Sequence, residues 1–417
     1  MKKRLYLLPV YIGSLKYYEK LLPYLLERYD TRFLIIRPDD ERRRGMLLYC
    51  KARGLSVEIL DAGLSRGGLR IPFASAIVKR IVHQRACRAL FNRAPNAKMV
   101  AVKAIAGFEP IFREANHCGV DTIVLQSALT PPPDFYRKDI AFARPSLPYR
   151  VYFTVLSSLF FISDMLVHGW SYHLVSTHPK RVGVIGPEGI SIFQTRFGFD
   201  PDTITVVGNA EYQRVSELKA HIVRDSSYRQ TLLQKYGLDP KKKKILIMSV
   251  WYEHHGAVRP AHMYSEEDTK TQIVYYEHII QAIRRVCPEQ NYDVLFKLHP
   301  AEKNIYESYR QFGVLFFGDE SIPEELLVLS DLYIADPCTS ANYMVIASGV
   351  PALFVNAEML PALNKCTLFY PIKRIIKNWE ELDKALFAFK KGTLDAGYDE
   401  SAINKHSIDR VMEFIGK

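Results

Sequence analysis

The sequence predicts an α/β protein made of two successive parallel-sheet domains. Three observations carry this. Short apolar strand-like runs alternate with helical stretches along the chain, a breaker followed by four lysines (Gly237–Lys244) interrupts the alternation, and the alternation then restarts at Ile245. Short apolar strands separated by helices are the mark of βαβ units, whose crossover connections produce parallel sheets.

In the first half, Leu5–Ile12 reads as a strand, Leu15–Glu27 as a helix, Arg32–Arg37 as a strand and Arg42–Ala52 as a helix. Leu55–Leu60, Met99–Val102 and Thr122–Gln126 continue the strand series, and Val182–Ile185 and Thr203–Val207 close it before Gly208-Asn209. A polar helical stretch spans Tyr212 to Tyr236, and the four lysines after it read as a solvated linker. The second half offers strands at Ile245–Val250, Asp293–Leu298, Gly313–Phe317, Leu332–Ala335 and Ala352–Val355. Helices are expected near Tyr275–Val286 and Pro323–Leu329, and a last one at Ser407–Ile415. Two facing Rossmann-like domains fit this order. The expected boundaries are an N-terminal domain 1–215, a helical and basic linker 216–244, a C-terminal domain 245–395 and a final helical segment 396–417 returning to the first domain.

Composition narrows the function. The chain has 417 residues, 48% hydrophobic and 24% charged, which excludes a disordered chain, a collagen-like fibre and a polytopic membrane protein. Its net charge of +11 is uneven: residues 1–215 hold 31 basic and 18 acidic side chains (+13), and the remainder 25 and 27 (−2). A first half this basic points to an anionic partner, whether nucleic acid, acidic polymer or membrane surface, with a merely solubilising surface as the alternative. The six cysteines form no CxxC pair and suit neither a zinc ribbon nor a disulfide framework, so a reducing cytoplasm is expected. The opening Met-Lys-Lys-Arg imitates a secretory signal, but the apolar run behind it contains Pro9 and is followed by Lys16, Glu19 and Lys20. Val151–Ile162 is apolar yet spans only roughly 18 Å as a helix, too short for a bilayer core. With Arg137, Lys138, Arg144 and Arg150 before it, the segment 137–162 could dock peripherally on anionic lipid, or form a buried core helix.

Three segments carry chemistry. Phe296-Lys297-Leu298-His299-Pro300 ends a strand of the second half, and ligands of open parallel sheets bind at strand ends. Pro300 fixes the turn there, so the imidazole of His299 is expected in the crevice. Asp336-Pro337-Cys338-Thr339-Ser340-Ala341-Asn342 follows another strand, with Thr339 and Ser340 where a helix N-cap belongs. Free N–H groups and dipole at such a helix start favour a phosphate. Ser249-Val-Trp251 follows the first strand of the half and could wall the same pocket. His254-His255 invites a metal, but adjacent residues rarely chelate one ion, so no metal and no cofactor are expected. Gly183-x-x-Gly186-Pro187-Glu188-Gly189 lacks the spacing of a dinucleotide fingerprint, and no P-loop occurs.

Lys297-Leu298-His299-Pro300, Asp336 to Asn342 and the trailing Gly349-Val-Pro-Ala-Leu-Phe-Val355 resemble the HP and Ser/Thr motifs of bacterial surface-carbohydrate glycosyltransferases with the two-domain GT-B architecture. Among these are sialyl- and polysialyltransferases, Kdo transferases and teichoic-acid glycerophosphotransferases. Phe197 to Asn209 is similar to the end of the first domain in these enzymes and in UDP-sugar 2-epimerases. The resemblance covers roughly residues 120–355. It implies that His299, with Pro300 fixing its turn, Thr339 and Ser340 contact the donor phosphate, and that Lys297 helps neutralise it. It also implies a first-domain proton acceptor. The acidic-acidic-glycine motif of sialyltransferases has no clean copy here: Asp39-Asp40-Glu41 runs into Arg42, and Glu109 sits in Gly-Phe-Glu-Pro, leaving Asp40 and Glu109 as candidates. Gln126-Ser127-Ala128 stands where relatives often carry Gln-His-Gly, so a retaining mechanism stays open.

The resulting expectation is a cytoplasmic glycosyltransferase, peripheral at the inner face of the membrane. It would move a sugar from a nucleotide donor, a CMP-sugar by preference, to an anionic surface polysaccharide or lipid-linked glycan. Alternatives are a nucleotide-sugar 2-epimerase or hydrolase of the same fold, a teichoic-acid type CDP-alcohol phosphotransferase, and a nucleic-acid-binding protein. Against the last, no nucleic-acid-binding motif accompanies the basic residues, and no nucleic acid is expected as partner.

Overall fold

A computed structural model describes residues 2–9, 12–36, 41–60, 72–102, 109–126, 155, 178–249, 266–298, 307–318, 320–337, 339, 341–356, 371–399 and 406–417. The described chain forms two units. One holds the described residues through Ala210 together with Ile408–Lys417, and the other holds those from Glu211 to Ser407.

The first unit contains β1 (Lys3–Leu8), α1 (Ile12–Arg28), β2 (Tyr29–Ile36), α2 (Glu41–Ala52), β3 (Val57–Leu60), α3 (Pro72–Asn92), β4 (Lys98–Ala101), α4 (Glu109–His117) and β5 (Asp121–Leu125). It continues with β6 (Arg181–Val184), α5 (Pro187–Phe197) and β7 (Ile204–Val206). All seven strands pair in parallel in the order β3-β2-β1-β4-β5-β6-β7. Side chains alternate between the two faces, as a strand dictates. Leu5, Leu7, Phe33, Ile35, Ile123 and Leu125 face a core shared with α1 and α2. Tyr6, Leu8, Leu34, Ile36, Met99 and Val124 face a second core shared with α3, α4 and α5.

The last helix completes the first of these cores. From α12 (Ser407–Gly416), Ile408, Val411, Met412, Phe414 and Ile415 are buried among the β1, β2 and α1 side chains. Its C-terminal carbonyls are taken by cations of the sheet: Lys98 Nζ donates to Gly416 O at 3.4 Å, and Arg181 donates to Phe414 O. Asp121 ties the two cations together, 3.0 Å from Lys98 and 2.5 Å from Arg181. Gly183 in β6 makes room for this packing, because a Cβ there would stand 2.8 Å from Leu125 and Val207 and 3.2 Å from Phe414.

The second unit contains α6 (Ala210–Arg224, whose first residue belongs to the other unit), α7 (Ser226–Lys235), β8 (Lys243–Met248), α8 (Glu266–Val286) and β9 (Tyr292–Lys297). Then follow β10 (Val314–Phe317), α9 (Pro323–Leu329), β11 (Leu332–Ala335), α10 (Ala341–Ser348), β12 (Ala352–Val355), β13 (Ile375–Ile376) and α11 (Trp379–Lys391). The sheet is again wholly parallel, in the order β10-β9-β8-β11-β12-β13. α8 buries a stripe at helical spacing (Tyr275, Tyr276, Ile279, Ile280, Ile283) on Ile245, Ile247, Val294 and Phe296. α11 begins with a cap: the N-cap Asn378 accepts from Glu381 N at 2.9 Å, and the Glu381 carboxylate accepts from Lys377 N, just before the cap, at 3.0 Å. It ends at Gly392, in the left-handed conformation with φ +70°.

The four-lysine run differs from a solvated linker. Lys243 and Lys244 open β8, and the Lys244 side chain is wholly buried, its ammonium donating to the carbonyls of Asp239 and Lys242. A long aliphatic stem that closes on backbone carbonyls lets lysine enter a core without an unmet charge. The apolar segment 151–162 and the basic loop before it lie outside the described residues, apart from the exposed Val155. No described helix is long and apolar enough to cross a membrane.

Candidate donor site at the switch point of the second sheet

In a doubly wound sheet the loops leaving the strand carboxyl ends diverge where the strand order reverses, and the crevice between them takes ligands. In the second unit that point lies between β8 and β11, the strand pair in register at Leu332↔Ile245 and Ile334↔Ile247. Buried polar side chains stand at or beyond these strand ends and that of the neighbouring β9: Ser249 after β8, Lys297 at the end of β9, Asp336 after β11 and Asn342 in the helix that follows.

Ser249 follows β8 directly. Its backbone N–H and its hydroxyl both donate to Lys297 O, at 3.0 and 3.3 Å, so the ends of β8 and β9 are tied at the lip of the crevice. Lys297 is only 6% exposed. Its ammonium donates to Leu298 O and Gly318 O, both at 2.9 Å. Gly318 O also accepts from Ser321 N and Oγ, and Gly318 N donates to Glu320 at 2.9 Å. Backbone N–H groups hold the Glu320 carboxyl below its usual range, and the Lys297 charge adds to that. The cation suggested as a phosphate neutraliser thus pins the ends of β9 and β10, immediately before His299-Pro300.

On the other side of the switch point, Asp336 is 2% exposed and follows β11. Burial pushes the hydroxyls of Tyr275 and Tyr333 well up, and the nearby Asp336 charge pushes the same way. Tyr275 donates to Val355 O at 2.8 Å, which anchors α8 to β12. Asn342, in the first turn of α10, donates from Nδ2 to Asp336 O at 3.1 Å. Thr339 caps that turn: its hydroxyl accepts from Ala341 N at 3.4 Å and its carbonyl from Asn342 N at 3.1 Å. Sequence reasoning placed Thr339 here but passed over Asp336 and Asn342 as site residues. Their signal was a carboxylate directly after an apolar strand and an amide at the start of the helix that follows.

Of the other expected site residues, His299, Pro300, Ser340, Trp251 and Asp40 lie outside the described residues, as does His254-His255. Glu109 is the first residue of α4 in the first unit, with its side chain outside the description. Ser249, Lys297 and Thr339 all stand at strand or helix ends on the carboxyl edge of the second sheet. Among the described residues, no group of three or more His, Cys, Asp or Glu is placed to hold a metal ion.

The first unit has the same kind of switch point, between β1 and β4, with different furniture. The buried Tyr18 phenol donates to Val100 O at 2.7 Å and lies 3.3 Å from Leu8 O, closing the two strand ends. Gln126, after β5, donates from its N–H to Gly183 O at 2.8 Å and accepts from Ile185 N at 3.0 Å. A Cβ on Gly189 would stand 2.7 Å from Val184 and 2.9 Å from Gln126. Packing accounts for Gly183 and Gly189 of that segment.

No protein-family model matches the chain, and no curated protein matches it by sequence. Solved structures do resemble it. The UDP-GlcNAc 2-epimerase of Neisseria meningitidis, bound to UDP-GlcNAc, is similar over 99% of this chain and 98% of that one, with TM-score 0.58 and 9% identity. Wall teichoic acid polymerase TagF, soaked with CDPG, is similar over 99% and 88%, with TM-score 0.54 and 14% identity. The glycotransferase of kitacinnamycin is similar over 100% and 98%, with TM-score 0.56 and 12% identity. At such identities the likeness speaks for the fold alone, and it extends over both units: this chain has the GT-B-type fold.

Proposed function

We propose that the protein is a GT-B glycosyltransferase that binds a nucleotide-activated sugar at the carboxyl edge of its second sheet and transfers the sugar to a surface polysaccharide or lipid-linked glycan. The observation that carries this reading is the cluster of buried polar groups at the β8/β11 switch point, Ser249, Lys297, Asp336 and Asn342, with Thr339 at the adjoining helix start. Structural neighbours holding UDP-GlcNAc and CDPG support a nucleotide donor. A CMP-sugar is the favoured one.

In this reading Thr339 and Ser340 hold the donor phosphate, and His299, turned by Pro300, stabilises the charge that develops on it. Trp251 and Ser249 wall the pocket. Lys297 fixes the turn that carries His299. An acceptor oxygen bonds to the anomeric carbon, the bond from that carbon to the phosphate oxygen breaks, and the acceptor's proton passes to a first-unit carboxylate, Asp40 or Glu109. The protein works at the inner face of the membrane, with 137–162 as its peripheral contact. The epimerase likeness favours a second reading, a nucleotide-sugar 2-epimerase. The polymerase likeness favours a third, CDP-alcohol phosphotransfer.

A thermal-shift panel with CMP, CDP, UMP, UDP and GDP, repeated on His299→Ala, tests the reading. A ligand that binds only the folded state at 100 times its dissociation constant adds about 2.7 kcal/mol. We expect stabilisation by a cytidine nucleotide, lost in the variant. A uridine preference would move the weight to UDP-sugar chemistry, and no shift with any nucleotide would overturn the site.

A further inference from the structure

The charge surplus of the first half is concentrated in one stretch. Between Ala62 and Phe108 the chain carries nine lysines and arginines and no aspartate or glutamate. Residues 1–61 hold 13 basic and 8 acidic side chains, and residues 109–215 hold 9 and 10, so +9 of the +13 comes from these 47 positions. In the fold this stretch is the crossover from edge strand β3, through α3, to β4.

α3 shows two kinds of face over its described side chains. Inward, Cys87, Leu90 and Phe91 share a core with Ile111, Phe112 and Ala115 of α4. Outward, Arg85, Ala89 and Asn92 are exposed, and exposed Arg93 follows. Among the described residues, two cations of the stretch are neutralised, each by an acid from beyond it. Arg88 makes a two-pronged bond, 3.0 and 3.4 Å, to the wholly buried Glu114, and Lys98 pairs with Asp121. Elsewhere in the unit Arg4 and Arg32 pair with Asp30 and Glu58, and Arg53 with Glu19. Among the described residues Arg85 and Arg93 have no ion pair. A helix stripped of carboxylates gains nothing for its own stability from that pattern, since like charges repel, whereas an anionic partner supplies the missing counter-charge.

We propose that the outward face of α3 is a docking track for a linear acidic glycan. On the described face the two exposed arginines, Arg85 and Arg93, stand roughly 12 Å apart along the helix axis. The chemistry of the described face, residues 81–93, separates this partner from two others. A membrane surface is gripped by cations together with inserted bulky apolar side chains, and single-stranded nucleic acid by cations together with aromatic platforms. The exposed positions there are Arg85, Ala89, Asn92 and Arg93, with no bulky apolar or aromatic group among them, while Ile81 and Val82 are half-buried. The track's identification as the site of the acceptor chain rests on the transferase reading, while its affinity for polyanion does not.

The test is fluorescence anisotropy with a labelled polygalacturonate oligomer, on the wild type and on two double variants of equal charge change. Arg85→Glu with Arg93→Glu alters the track. Arg44→Glu with Lys51→Glu alters exposed positions on α2. The track variant should lose about tenfold in affinity and lose part of the salt dependence, the α2 variant less than about twofold. Unchanged melting of both variants shows that folding is not the cause. Equal losses in the two variants, no binding by the wild type, stronger binding to phosphatidylglycerol vesicles, or equal competition by single-stranded DNA would each overturn the track. The nucleotide-induced thermal shift is read in parallel. Its absence counts against the transferase reading, and a failed glycan titration counts against the track.

Discussion

The two sheets share a strand order around their switch points, β3-β2-β1-β4 in one unit and β10-β9-β8-β11 in the other, and differ in what closes the strand ends. In the first unit a neutral phenol and a neutral amide do it: Tyr18 on Val100 O, and Gln126 on the backbone of Gly183 and Ile185. In the second unit an ammonium and a carboxylate are buried at the same level, Lys297 and Asp336. Burying ionic groups is costly unless the surroundings are arranged for them, and sites that handle charged ligands are where that cost is tolerated. The repeated topology supplies a crevice twice. In the proposed reading, the crevice with the buried charged groups is the one that takes the phosphate-bearing donor.

The largest expected effect would separate the units altogether. Ending the chain after His406 removes five buried apolar side chains from the first unit's core, each contributing about 1.5–3 kcal/mol, a total comparable with a domain's whole stability. The first unit's melting transition should disappear from calorimetry while the second unit's persists. One cooperative transition lost as a whole would break the two-unit description. A smaller effect is confined to the other unit. Lys297→Met removes the ammonium donor from Leu298 O and leaves Gly318 O only its Ser321 bonds, and should cost about 2 kcal/mol, seen only in the second unit's transition. A shift in the first unit's transition instead would contradict the separation.

The smallest effect concerns Asp121. Burial alone would raise its carboxyl, but bonds from Arg181 and Lys98 outweigh that and hold it below the usual range. A carboxyl lowered in the folded state stabilises above its unfolded pKa, and that contribution fades as pH falls through the folded value. Asp121→Asn should therefore lower the first unit's stability at neutral pH by an amount on the order of 1 kcal/mol, with almost no effect once acid has protonated the carboxyl. Equal losses at both pH values would mean that charge is not what holds the helix end.

The fold was legible where punctuation bounds the apolar runs. Pro323–Leu329, Leu332–Ala335 and Ala352–Val355 appear at the residues the sequence marks, since Pro323, Ser330-Asp331 and Gly349-Val-Pro351 stop them. α3, α4, α5 and α11 were not read. In α3 the buried stripe includes His83 and Gln84, which blur the apolar period. The site was legible as positions and not as roles. Ser249, Lys297 and Thr339 sit at element ends, as their flanking breakers indicate. The partners of Lys297, however, depend on the register that sets Phe317 beside it, and register is a property of the assembled sheet.

One feature of the fold bears on how the protein is made. Chains emerge from the ribosome N-terminus first, and leading domains ordinarily finish folding while the rest is still being synthesised. Here the leading unit lacks Ile408, Val411, Met412, Phe414 and Ile415 until translation has passed the whole second unit. For some two hundred codons its α1-side core stays open, and an unfinished apolar face is what chaperones recognise. The trailing unit can therefore be complete first, and the order of folding runs against the order of synthesis.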